Sequence, residues 1–248
     1  MNFQLFLGSL EARHLADLRF SEVTRALRAL SSAYVERRDT VVTEHRTLDG
    51  AGKRAAFALY YSPIHFVLVQ QILAEVGAPA RPGLVLDLGC GTGVAGAAVA
   101  TTTTPPSRVL GIDTHPWALE EARFTYRALG LTGDVRRGYV ARTRIPPDTS
   151  FVVAAFVVNE LNEIDRRALL ESLRAAVQRG TSVLIVEPIS LRISPWWHEW
   201  AEAFAQMGGR ADQWRFKYDP PLIVKRLARA SGLRPESLTA RSLFTRPA

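Results

Sequence analysis

Between Leu84 and Pro188, apolar runs alternate with amphipathic stretches, and this alternation limits what the chain can fold into. "LVLDLG", "RVLGID", "FVVAAFVV" and "SVLIVEP" read as strands, and "VRRGYV" as a weaker one. "VAGAAVA", "HPWALEEARFTYRALG" and "DRRALLESLRAAVQRG" read as helices, the last with Leu169, Leu170, Leu173, Ala176 and Val177 in one stripe. A strand that is apolar at every position has both faces buried. Such strands separated by helices imply an α/β fold with a parallel sheet covered on both sides. Sheets of this kind bind ligands outside the carboxyl ends of their strands, near the switch in strand order. Function is therefore sought in the last residues of each strand.

The segment before the first strand is different. Residues 9–38 place Leu10, His14, Leu18, Ala26, Leu27, Leu30 and Tyr34 at roughly helical spacing. After the polar stretch "RRDTVVTEHRTLDGAGKR", a second helical segment runs from Ala55 to Val76, and "GAPARPG" ends it. The expected organisation is a helical cap over residues 1–78 and a sheet domain over residues 79–248. No uninterrupted apolar run approaches the roughly 18 residues that span a membrane, and the amino terminus lacks the basic start of a secretory signal. One cysteine, Cys90, excludes a disulfide framework and a cysteine-held metal site. These features predict a cytoplasmic protein with no membrane or metal partner. The formal charge of +7 favours polyanionic partners, although only three of the 31 basic residues are lysine, a bias that genome composition alone produces.

The first strand closes as "LDLGCGTGVAG", with Asp87 followed by Gly89, Gly91 and Gly93 ahead of a helix. Glycines permit a sharp turn and close approach to a ligand, and a helix start offers unpaired N–H groups. The spacing differs from the dinucleotide pattern G-x-G-x-x-G. "VLDLGCGTG" and "GIDTHPWALEEAR" resemble the first and second motifs of the class I S-adenosylmethionine-dependent methyltransferases. The resemblance implies a Rossmann-like methyltransferase fold with a mostly parallel seven-stranded sheet and S-adenosyl-L-methionine as cofactor. It implies that Gly89, Cys90, Gly91 and Gly93 form the cofactor loop and that Asp113 accepts from the ribose hydroxyls. Thr114 or His115 would border the adenine, and Asp87 would either organise the loop or meet the cofactor ammonium. Where relatives carry a Gly-Asp pair after the third strand, this chain has Gly138-Tyr139, so Tyr139 is either core or an adenine contact.

The fourth strand empties into "NELNE". By the same resemblance its end faces the methyl acceptor, which assigns Asn159 and Glu160 to the reaction. The amide would orient a target amine, the carboxylate would take a proton, and Asn159 would also touch the cofactor. Asn162 reads as the cap of the following helix. "NEL" together with "VLIVEP" is similar to the methyltransferase-like family of the mitochondrial small ribosomal subunit and its bacterial relatives, which would imply ribosomal RNA as partner. The only thiol lies in the cofactor loop, which argues against C5-pyrimidine chemistry and leaves N- or O-methylation.

Trp196 and Trp200 share a helix face, as core or as a base-stacking platform. Trp117 is helix core or adenine wall. Tyr60 or Tyr61 would close over the cofactor, and His65 reads as packed. The expected activity is N- or O-methyl transfer, with RNA as the leading acceptor. A small-molecule methyltransferase and a ribosome-assembly factor that binds the cofactor without turnover are the alternatives.

Overall fold

The computed structural model describes residues 3–36, 48–192 and 194–246. The first part of the polar connection, residues 37–47, and the side chain of Tyr34 lie outside the described residues. Seven strands form one sheet: β1 Leu84–Leu88, β2 Arg108–Asp113, β3 Gly133–Arg137, β4 Thr149–Ala155, β5 Ser182–Glu187, β6 Arg210–Lys217 and β7 Ser237–Thr245. Their order is β3-β2-β1-β4-β5-β7-β6. The first five run parallel, while β7 pairs antiparallel with both β5 and β6. The order reverses between β1 and β4, which makes their carboxyl ends the switch point.

Both faces of the central strands are buried, as their apolar runs require. Phe151 and Val153 of β4 pack into one layer, and Val152 and Ala154 into the other. Helices α4 (Ser62–Val76), α5 (Val94–Ala100), α6 (Pro116–Ala128) and α9 (Leu222–Ser231) contribute to the first layer. Helices α7 (Glu163–Gln178) and α8 (Trp197–Gln206) cover the second. One side chain organises the first layer closely. Tyr126 of α6 occupies the space that a Cβ would need at Gly93, Gly111 and Gly133, coming within 2.8, 2.7 and 2.4 Å of those positions.

The amino-terminal reading needs one correction. The single helical stretch anticipated over residues 9–38 is two helices, α1 (Phe3–His14) and α2 (Phe20–Glu36). Helix α2 starts where the Arg19 backbone N–H donates to the Glu22 carboxylate at 2.8 Å. This is the glutamate half of a capping box, without the hydroxyl residue that makes such boxes conspicuous. Helix α1 docks through Phe3 stacked on Phe66 at 4.9 Å. It is also tied to α6 by Glu121, which is fully buried and accepts from Arg13 Nε at 3.2 Å and meets His14 Nε2 at 2.7 Å.

Helix α3 (Ala51–Ala56) continues through a π-helical turn, Phe57–Tyr61, into α4. By length and composition this 26-residue run could cross a membrane, but 67% of its most apolar window is buried inside the protein. Its apolar surface serves the core layer beneath it.

Replacing Glu121 by Ala should remove both links between α1 and α6. The expected loss is about 2–3 kcal/mol, the range for hydrogen bonds to charged groups. Urea unfolding at neutral pH measures it directly.

Candidate active site

At the switch point, a cleft of about 1100 Å³, including space open to solvent, lies over the ends of β1, β2 and β4. Its lining includes Gly89, Cys90, Gly91, Thr92, Asp113, Thr114, His115, Tyr139 and Glu160. The glycine turn is shaped by two requirements. Gly89 packs so closely on β4's continuation that a Cβ would sit 2.3 Å from Val157 Cγ2. Gly91 has φ +52°, yet a Cβ there would meet nothing within 4 Å. Its left-handed backbone therefore presents bare main chain to open cleft, a surface suited to close approach by a ligand. Thr92 anchors the turn from the other side, its hydroxyl 2.7 Å from that of Ser62 at the start of α4.

Asp113 stands at the end of β2. One carboxylate oxygen accepts from Gly91 N at 2.9 Å and the other from His115 N at 2.8 Å. Each oxygen keeps a further lone pair, so the group braces the turn and still has acceptor capacity toward the cleft. His115 caps α6, its Nδ1 accepting from Trp117 N at 3.1 Å, and Trp117 lines the cleft beside it. Tyr139 lies just past β3 and is 47% exposed, which rules out the core alternative.

Asp87 does not line the cleft. It is buried under the turn, where one oxygen accepts from Gly96 N at 2.8 Å and the other has no hydrogen-bond partner. Burial pushes its carboxyl up to about 7; the Gly96 bond opposes this, and nearby Asp113 adds to it. Of the two roles anticipated for Asp87, the geometry supports organising the loop. Cys90 lines the cleft but is 5% exposed, and burial pushes its thiol well above the ordinary range. It is filler, not a nucleophile.

The end of β4 departs most from expectation. Asn159 was assigned to methyl transfer, but its side chain is held by three hydrogen bonds within the protein. Its amide donates to Glu187 Oε2 at 2.6 Å, and its Oδ1 accepts from Ser194 Oγ and Trp196 Nε1, both at 2.9 Å. Glu187, fully buried at the end of β5, also accepts from Val158 N at 2.8 Å. The amide thus latches β4 to β5 and to the start of α8, which corrects the catalytic assignment. Glu160, next to it, does line the cleft. Asn162 caps α7 by accepting from Asp165 N at 2.9 Å. Trp196 and Trp200 are 7% and 1% exposed, so they are core and no stacking platform exists there.

Three aromatic rings in the cleft had no site role in the sequence reading: Phe57 and Phe156, and His65, which was read as packed. Phe156 follows β4 with φ +61°, a strained value for a bulky side chain. His65 stacks on it with ring centroids 4.2 Å apart. Tyr60, by contrast, is 6% exposed, and burial raises its phenol to about 12. Neither Tyr60 nor Tyr61 is among the residues lining the cleft. Among the described residues, no cluster of three or more His, Cys, Asp or Glu could hold a metal.

Residues 85–180 match the family described as a methyltransferase domain. A protein of Pyrenophora dematioidea described as an O-methyltransferase is 31% identical over 104 residues, covering 42% of this chain and 38% of its own length. A 2-ketoarginine methyltransferase of Streptomyces arginensis is 36% identical over 128 residues, covering 48% of this chain and 35% of its own. The chain therefore spans little more than a third of the length of these curated relatives. A candidate O-methyltransferase of Nostoc punctiforme shares the fold, with a TM-score of 0.56 and 15% identity over 94% of this chain and 71% of its own. The matched segment and the shared fold make this chain similar to methyltransferases. S-adenosylmethionine is the cofactor this implies, and the exposed Gly91 backbone beside Asp113 fits it.

Two outcomes test this geometry. Asn159→Ala removes one donor from Glu187 Oε2 and the acceptor of the Ser194 hydroxyl and the Trp196 indole N–H, so it should cost about 2–4 kcal/mol of stability, as lost buried hydrogen bonds do. Differential scanning calorimetry would register the drop. For Asp87, the folded carboxyl holds its proton to higher pH than the unfolded one, so stability should fall as pH rises from about 4 to about 7. In Asp87→Asn that component of the fall should vanish, as read by urea midpoints across the same range.

Proposed function

We propose that the protein is an S-adenosylmethionine-dependent methyltransferase whose acceptor is a hydroxyl or amine of a small molecule. One observation carries the reading: the glycine turn and Asp113 share a cleft with a separate aromatic wall at the end of β4. When bound, the cofactor supplies a methyl group on a sulfonium, open to in-line displacement. The main chain at Gly89 and Gly91 would lie against it, with Asp113, Thr114, His115 and Tyr139 along its nucleoside portion. Glu160 would lie on the acceptor side. The helical wall carrying Phe57 and His65 would exclude water from that end.

A small acceptor is favoured over RNA on two grounds. No Lys or Arg is among the described residues lining the cleft, where phosphates would need them. The tryptophan pair that could have stacked a base is buried in the core. The description of one relative as a 2-ketoarginine methyltransferase also supports a small acceptor.

The test is calorimetric titration with S-adenosylmethionine and S-adenosylhomocysteine after any copurified ligand is removed. Micromolar binding to the wild type is expected. Gly91→Val should weaken it at least roughly tenfold, since a β-branched side chain strains the left-handed turn and fills its open face. Absence of binding to both ligands would reject the cofactor reading. Tight, salt-sensitive binding of small-subunit ribosomal RNA would return the acceptor to nucleic acid.

A further inference from the structure

The cleft holds aromatic side chains in two groups. Trp117, His115 and Tyr139 lie by the ends of β2 and β3, beside Asp113, where a nucleoside would sit. Phe57, His65 and Phe156 form the second group at the end of β4, and the cofactor's nucleoside does not account for them.

Two unfavourable backbone features converge on this second group. The first is the π-helical turn at Phe57–Tyr61. On an uninterrupted α-helix, residues eight apart differ by about 80° around the axis. A π turn absorbs one extra residue, so the same eight steps act as seven and close to within about 20° of a common face. That shift lets Phe57 and His65 line one cleft. The second feature is Phe156 at φ +61°, held by its N–H donating to Val186 O at 2.8 Å. Conformations this costly persist where the surroundings impose them, and they cluster at ligand sites.

The imidazole adds a third observation. His65 stacks on Phe156 at 4.2 Å and 25°, and Phe57 meets it edge-on at 6.3 Å and 81°. Tyr61 lies at 6.1 Å and 47°, and among the described residues neither His65 nitrogen makes a hydrogen bond. Burial lowers its pKa to about 4, so at neutral pH one ring nitrogen is a bare acceptor. A partly buried ring with both nitrogens unspent, lining an open cleft, is positioned for a ligand's polar group.

Resting on the methyltransferase reading above, we propose that the His65–Phe156 pair is the acceptor platform. It takes a planar aromatic ring that bears a hydroxyl or amine, and a His65 nitrogen accepts the hydrogen bond from that group. The lining argues against an anionic ring: among the described lining residues the acidic side chains are Asp113 and Glu160, and none is Lys or Arg. A stacked ring gains the dispersion and quadrupole terms of an aromatic pair, and the bond to His65 fixes which ring atom faces the methyl group.

The probes are phenol and its saturated counterpart cyclohexanol, titrated into full-length protein saturated with S-adenosylhomocysteine, with the His65 ring resonances followed by NMR. Phenol should bind roughly tenfold more tightly than cyclohexanol, the upper end for one aromatic pair, and should shift the His65 signals. His65→Ala and Phe156→Gly should remove that preference while cofactor affinity stays within about twofold; the glycine also relieves the backbone strain, so loss of fold does not confuse the result. Equal binding of the two probes, or an unchanged preference in both variants, would overturn the platform. So would loss of S-adenosylhomocysteine binding in the variants, which would place the pair against the cofactor instead. If the wild type binds no S-adenosylhomocysteine, the methyltransferase reading fails, and the same titration on the unloaded protein still decides the platform.

Discussion

A single buried carboxylate at the end of β5 sets the geometry on which the cleft depends. Glu187 collects the backbone N–H of Val158 and the side-chain amide of Asn159, both from the chain leaving β4. A carboxyl group with no exposure is stable only when its oxygens are hydrogen-bonded. The chain after β4 is therefore held in one path. That path forces Phe156 into its left-handed conformation, seats Val157 against Gly89, and turns Glu160 into the cleft. The same amide reaches Ser194 and Trp196, so the start of α8 is fixed by the group that shapes the active-site wall.

The fold was legible because burial on two faces leaves continuous apolar strands, and amphipathic helices alternate with them. Phe151 to Ala154 pack alternately into opposite layers, as the run suggests. The cofactor side of the cleft was legible for a related reason. A turn that must expose bare backbone uses glycine, and Gly89, Gly91 and Gly93 are visible in any reading of the chain.

The acceptor side was not legible, and the causes differ by residue. Asn159 and Glu160 are adjacent polar residues at a strand end, and sequence does not say which one turns inward. The signal that could have separated them is Glu187, an acid closing an apolar strand, which needs donors from its neighbours. His65 and Phe57 were hidden by the π turn: periodicity assumes a constant advance per residue, and one inserted residue moves the whole face. Phe156 sits inside an apolar run with nothing to mark its strained backbone. The first two helices were merged because a lone glutamate, without a hydroxyl cap, is a weak stop-and-start signal.

Tyr126 carries an evolutionary consequence. Its ring fills the places where Gly93, Gly111 and Gly133 would otherwise have a first side-chain carbon. These three glycines belong to the glycine turn, to β2 and to β3, so one phenol ties together segments far apart in the chain. A larger residue at any of the three has no room while the tyrosine stays, and a smaller residue in its place leaves a hollow bordered by three bare backbones. Change at these four sites should therefore be coupled, with Ala122 also closing the space at Gly93 and Cys90 that at Gly111. Tyrosine and three glycines should persist together across descendants whose surfaces have diverged beyond recognition.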